Sequence, residues 1–310
     1  MKWKNFLMLM ALAALWGPSF LFIKVAVADI PPLTLALGRV SIAAVLLAII
    51  LRMQGRWFPA WGRIWGHVAI VALFHNAIPF VLFGWGEQHI DSALASILNG
   101  MTPLFTILLA HFFVADDRLT LTKVIGILLG FGGLLLLIAP SLLSGLRATT
   151  LGLLAVTMAA ACYGVALVYA RNHLRGLPPL VAPATQMLLA SLFILPLALG
   201  VERPFTLPLP SFSALAAMLA LGVFGTAIAF TLYYRLMERA NASYVSMVTY
   251  IIPVFGVLLG VFVLGERLTW HAYAGFAFIL LGVMLVNGLI KGVADWKRPF
   301  PGLNWRHTQI

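Results

Sequence analysis

His75 and Asn76 stand side by side in a long apolar run, just ahead of Pro79. An imidazole can exchange a proton near neutral pH, and a carboxamide can donate and accept hydrogen bonds at once. Together they offer reversible binding rather than covalent catalysis. Ser96, Asn99 and Pro103 fall at i, i+3 and i+7 on a second apolar run, so they share one helix face. Ser246, Thr249 and Pro253 repeat that face on a third. Each proline removes a backbone donor, which frees a carbonyl and permits a kink that could serve as a gate. Lys24 and Arg39 put cations inside apolar sequence, where each could meet an anionic ligand. Trp16, Tyr163 and Tyr250, with Phe80, Trp85, Phe230 and Tyr233, could wall an organic ligand.

Each of these has a plainer reading that stays open at this level. Small polar residues also tie helices together, and prolines also bend them for packing. A neutral histidine can bond a neighbouring helix. Lys24 and Arg39 can snorkel to a membrane surface, Arg39 from about 9 Å inside its run, or pair with carbonyls within a bundle. Trp3, Trp57, Trp61, Trp65 and Trp296 lie near the ends of runs, where tryptophan anchors a chain at a lipid–water interface. Trp85 also fits that belt.

The elements that must position these groups follow from composition. Of 310 residues, 62% are hydrophobic and only 9% are charged. A soluble domain needs roughly a quarter of its residues charged to cover its surface, so this chain's solvent is lipid. Apolar runs near 5–27, 33–52, 64–86, 92–114, 120–139, 150–170, 179–200, 211–236, 242–264 and 269–290 predict ten transmembrane helices. The first run is too long for a cleavable leader and is expected to span. The net charge of +11 is scattered between runs rather than gathered in a patch, which argues against nucleic acid. Cys162 is a lone cysteine, so no internal disulfide can form.

Lys and Arg set the orientation. With the N-terminus in the cytoplasm, fifteen fall on the cytoplasmic side and only Arg147, Arg203 and Arg267 outside. That bias is the positive-inside rule, and it puts both termini in the cytoplasm. The chain also repeats itself. Trp16-Gly17 matches Tyr163-Gly164, Lys24 matches Arg171, and Pro31-Pro32-Leu33 matches Pro178-Pro179-Leu180, all at an offset of 147. Asn76 matches Thr226 and Pro103 matches Pro253 at 150, while Gly126 and Gly133 match Gly275 and Gly282 at 149. Five helices is an odd number, so the second copy must enter the membrane from the opposite face. The expected units are residues 1–140, an inverted copy at 141–290, and a basic cytoplasmic tail at 291–310 that reads as a membrane-surface anchor. Inverted repeats around a central cavity are a device of secondary transporters.

Trp16-Gly17-Pro18-Ser19-Phe20, Pro31-Pro32-Leu33-Thr34-Leu35 with Arg39, and Gly265-Glu266-Arg267-Leu268-Thr269 resemble the EamA domain of the drug/metabolite transporter superfamily. The resemblance covers roughly residues 5–290. It implies a ten-helix exporter of amino acids or other metabolites in a bacterial inner membrane, with the first, third and fourth helices and their counterparts around the cavity. The partners expected are a small-molecule substrate and membrane lipids. Gly126-x-x-x-Gly130 and Gly256-x-x-x-Gly260 allow close helix approach but are weak support for a homo-oligomer. Uptake on the same fold remains an alternative to export.

No Walker A loop, H-E-x-x-H or G-x-S-x-G motif occurs, so neither ATP, another cofactor, a metal nor a catalytic residue is expected. An intramembrane enzyme would need clustered reactive groups at one depth, where His75 stands alone, and a sensor would need an interaction domain. All nine acidic residues fall in loops or at run ends, so no membrane-buried carboxylate is expected. The charge count predicts that a phosphatase fused after Ile290 stays in the cytoplasm and is inactive. An active fusion would overturn the whole topology.

Overall fold

Lipid offers no partner to a peptide group, so an apolar chain must close its hydrogen bonds within itself, which helices do. The computed structural model describes residues 2–114, 119–143, 147–174, 176–178, 180–240, 242–245 and 247–290. The first span is α1 (Lys2–Trp16) and α2 (Ser19–Ala26), broken at Gly17-Pro18. The second is α3 (Pro32–Met53), and the third is α4 (Arg63–Ala72) and α5 (Ile78–Glu87) joined by a π-helical turn at Leu73–Ala77. The fourth is α6 (Ser92–Asn99) and α7 (Thr102–Phe113), and the fifth is α8 (Leu121–Leu143). The sixth is α9 (Ala148–His173), and the seventh is α10 (Val181–Leu197) with a π turn at Ala198–Glu202. The eighth is α11 (Phe212–Gly222), a π turn at Val223–Ile228, and α12 (Ala229–Arg239). The ninth is α13 (Ala242–Val245) and α14 (Val248–Phe262), and the tenth is α15 (Trp270–Val286).

Among the described residues, eight helical stretches are long and apolar enough to cross a membrane, and α14 and α15 are shorter apolar helices. The chain is thus an all-α, multi-pass membrane protein with ten helical spans. Leu128, Leu135, Phe112 and Leu192 point outward, as they can where the surroundings are hydrocarbon. The tail at 291–310, with Trp296, lies outside the described residues, as do Pro179 and Ser246.

Glycines show how the two five-helix sets meet. α8 and α15 pack along their length. A Cβ on Gly126 would stand 2.6 Å from the carbonyl oxygen of Gly282, and one on Gly133 2.6 Å from that of Gly275. As the first residue advances by seven the second retreats by seven, so the helices cross antiparallel. That is the crossing an inverted duplication requires, because Gly126 and Gly275 are themselves repeat equivalents. A larger side chain here must push two backbones apart. Gly133→Leu is therefore expected to lower stability in detergent by about 1–3 kcal/mol. Gly132→Leu, where nothing lies within 4 Å of the new carbon, should stay within about 0.5 kcal/mol. Thermal unfolding of the two variants side by side checks this.

Candidate functional site

The third and eighth spans each carry a π turn at equivalent positions, Leu73–Ala77 and Val223–Ile228. A π turn holds one residue more than an α turn, which widens the helix and re-aims its side chains. In the third span it presents His75 and Asn76, and Pro79 has no N–H to return to the carbonyl of His75. In the eighth it presents Thr226, whose hydroxyl donates to the carbonyl of Leu221 at 2.8 Å.

Arg39 meets that second turn. Its Nε donates to Thr226 Oγ1 at 2.9 Å, and its guanidinium carbon lies 3.8 Å from the centre of the Phe80 ring. The side chain is only 7% exposed, so Arg39 is held within the bundle and does not snorkel. Repeat symmetry places Gln186 opposite Arg39 at the same offset of 147. Gln186 lies on α10, which packs on the first π turn as α3 packs on the second. Its Nε2 donates to the Tyr234 hydroxyl at 3.3 Å, while its Oε1 makes no well-formed hydrogen bond and lies beside the His75 side chain. Both amide atoms of Asn76 are buried without a partner. One half has made its bond across the repeat, and the equivalent groups of the other half have not.

Aromatic rings enclose this centre. The His75 ring packs edge-on against Tyr163 at 5.3 Å and Phe230 at 5.6 Å, centre to centre. Tyr163 stacks on Phe83 at 5.9 Å, and Trp16 lies 6.0 Å from Phe230 and 5.5 Å from Tyr233. The structure therefore brings together His75, Asn76, Thr226, Arg39, Trp16 and Tyr163. It does not bring Tyr250 there, whose hydroxyl donates to the carbonyl of Val283 on the tenth span at 3.1 Å. Trp85 packs on His89 at the end of α5, in keeping with the interfacial belt.

Pro103 does not kink a continuous helix as the sequence suggested. The fourth span stops at Asn99 and restarts at Thr102, because Pro103 has no N–H to return to the carbonyl of Asn99 and suits a helix start. The Thr102 hydroxyl satisfies the freed Asn99 carbonyl at 2.8 Å, while the Asn99 side chain is half-buried at the break. Pro253 lies inside α14, and its ring packs on Gly100, so the two proline segments meet. Ser96 is wholly buried, with its hydroxyl on the carbonyl of Ala93, and it packs against Gly256. Thr249 is half-buried on α14.

The helix ends on one face of the bundle are stapled by charge. Lys24 donates to the carbonyls of Glu87 and Ile90, both at 2.7 Å, capping α5 where the sequence left snorkelling or a pathway role open. Glu202 accepts from the amides of Leu33 and Thr34, and Glu266 from those of Ser92 and Ala93. Asp29 accepts from the amide of Ser211, and hydrogen bonds from the Ser211 side chain first and its amide second hold that carboxyl below the usual range. Burial first, then the charge of Glu266, pushes the Asp91 carboxyl up, against the pull of Lys24. Glu87 corrects a sequence expectation. Its carboxyl sits at a span end but is 0% exposed, with neither oxygen hydrogen-bonded, because neighbouring helices cover the end of α5.

Sequence reasoning passed over Gln186, Glu87 and both π turns. The offset of 147 from Arg39 was the signal available for Gln186; a π turn leaves no trace in apolar periodicity.

Charged-donor bonds are stronger than neutral ones, and removing a buried acceptor strands its partner. Thr226→Val should lower unfolding stability in detergent by about 1.5–3 kcal/mol, with Thr226→Ser restoring it. Asn76→Leu should cost less than about 1 kcal/mol, since no bond is lost. Equal losses for the two would show that the Asn76 amide is partnered.

Comparison with known proteins agrees with this fold. The model of the EamA-like transporter family matches residues 3–139 and again 150–288. An uncharacterized transporter of Archaeoglobus fulgidus is 27% identical over 283 residues, 91% of this chain and 98% of that protein. The uncharacterized inner membrane transporter YedA of Escherichia coli is 27% identical over 281 residues, covering 90% and 89%. A solved structure described only as a crystal structure of a protein superposes with a TM-score of 0.67 at 21% identity. It covers 94% of this chain and all of that one, and it shows the shared fold.

Proposed function

Because this chain belongs to the EamA-like transporter family, we propose that it exports small organic metabolites, foremost amino acids or related amphipathic solutes, by alternating access. The membrane is a bacterial inner membrane and both termini lie in the cytoplasm, as the charge bias supports. The observation that carries the substrate reading is the set of unpartnered amide atoms on Asn76 and Gln186. A buried amide without a partner costs roughly 1–3 kcal/mol, and a ligand bearing a donor and an acceptor recovers that cost. Trp16, Tyr163, Phe230 and Tyr233 then cover the ligand's apolar part, and Arg39 biases the interior toward a carboxylate. A partly apolar zwitterion fits this mixture better than a bare ion.

Alternating access draws support from the unequal halves. Inverted repeats change the open side by exchanging conformations. Here Arg39 is bonded to Thr226 while Asn76 and Gln186 stand open, so the halves already differ at equivalent places. The break at Gly100, with Pro253 packed on it, is where the fourth span can bend against the ninth, which gives Pro103 and Pro253 their gating role.

Proteoliposomes loaded with labelled amino acids test the proposal. Wild-type protein should release them, while Asn76→Leu and His75→Ala should each slow release by about tenfold, the worth of one hydrogen bond of 1.4 kcal/mol. If amino acids neither move nor compete while another solute class does, the substrate reading fails and transport stands. If His75→Ala behaves as wild type across roughly pH 5–8, His75 belongs to packing alone.

A further inference from the structure

Among the described residues Glu87 is the one buried acidic side chain, and the transport reading leaves it unused. Counting along α5 and the π turn, Asn76, Phe80, Phe83 and Glu87 fall at i, i+4, i+7 and i+11, one helix face, and all four are buried. At the inner end of that face are the open amide of Asn76 and the Arg39 guanidinium over Phe80. At the outer end is a carboxyl with no hydrogen-bond donor to either oxygen. A carboxylate so placed, as an anion, loses its hydration and gains no bond in return, at a cost of several kcal/mol. Such a group resolves the conflict by binding a proton or a cation.

Charged and titratable groups approach it from every side. Lys24 comes from α2, Arg39 from α3, and Glu266 from the loop after α14. Asp91 precedes α6 and shares the field of Lys24 and Glu266. Tyr163 on α9 shares the field of Arg39 and stacks on Phe83. His89 follows on the same chain segment and packs on Trp85. Lys24 is committed to the carbonyls of Glu87 and Ile90, and Glu266 to the amides of Ser92 and Ala93. Arg39 is the nearby cation whose single bond to a neutral hydroxyl can be exchanged.

We propose that Glu87 is a proton-binding site that gates transport according to outer pH, and that its ionisation draws Arg39 away from Thr226. With the carboxyl protonated, Arg39 rests on Thr226, which is the arrangement described above. When Glu87 gives its proton to water on the outer side, the new anion competes for the guanidinium from about 10 Å along α5, seven residues at 1.5 Å each. The bond joining α3 to the eighth span's π turn is then released, and the two halves are free to exchange conformations. Reprotonation returns Arg39 to Thr226.

A proton suits the site better than a metal or an ammonium. Among the described residues no three His, Cys, Asp or Glu side chains gather as metal ligands. The neighbouring Gly86 is packed so closely on α9 that a Cβ there would meet Val156 Cγ2 at 2.5 Å, and Lys24 already supplies a cation beside it. A proton needs no volume. The purpose of the switch rests on the transport reading, but proton binding can be tested without a substrate.

The full chain in proteoliposomes is titrated from about pH 5 to pH 8 by infrared difference spectroscopy. Wild type should show a protonated-carboxyl stretching band that is lost as pH rises. Glu87→Gln should lack it, Glu87→Asp should keep it, and Asp91→Asn should leave it in place. A band unchanged in Glu87→Gln overturns the proposal whether or not any substrate is known. Where a transported solute is in hand, wild-type rates should change with outer pH by up to about tenfold per pH unit, the slope of a one-proton step. Glu87→Gln should transport without that dependence. A solute amine that removes the band while transport ignores outer pH would make Glu87 an ammonium subsite and overturn the proton assignment.

Discussion

Hydrocarbon gives nothing to a backbone amide or carbonyl, and this constraint governs where the chain can depart from a plain helix. Two of these departures carry their own repair. The Thr102 hydroxyl takes the carbonyl that Pro103 leaves open, and the Thr226 hydroxyl takes a carbonyl five residues back in the π turn. Helix ends facing the loops are met by charge: Glu202 and Glu266 on amides, Lys24 on carbonyls. A chain with only 9% charged residues spends much of that charge on its own backbone. The interior irregularities that could bind a ligand exist because a few short polar side chains make them tolerable in lipid.

Duplication explains both the order and the asymmetry of the centre. Arg39 and Gln186 are equivalent, as are Thr226 and Asn76, yet the residues have diverged. A guanidinium brings a fixed charge and five donors, whereas a carboxamide is neutral and can accept as well as donate. The Arg39 pair holds when bonded and is costly to strand, while the Gln186 pair can stand open and take a partner from outside the chain. A symmetric scaffold thus holds a charged bond on one side and open amide atoms on the other.

The helices, their number and the duplicated unit were legible because apolar runs bounded by charge are long and unambiguous. His75, Asn76, Arg39, Trp16 and Tyr163 were legible as candidates because polar or aromatic groups inside such runs stand out. The Gly17-Pro18 break and the arrest before Pro103 were less so, since proline announces irregularity without saying whether the helix bends or stops. Glu87 was hidden for a different reason. Its place at the end of a run suggested water, and only the packing of neighbouring helices over α5 decides otherwise. Gln186 drew no notice until the packing of α10 on the first π turn gave its equivalence with Arg39 a meaning.

The glycine seam between α8 and α15 bears on how such a chain arose. Gly126 touches Gly282, the equivalent of Gly133, while Gly133 touches Gly275, the equivalent of Gly126. The contact is therefore isologous in the sense used for two-fold dimers, each patch being complementary to its own copy. A single five-helix ancestor inserted in both orientations could have formed this seam with itself, before any fusion. Within one chain, the covalent connection holds the two copies in opposite orientations. Arg39 and Gln186 were then free to diverge, since a change in one half no longer had to be tolerated by both.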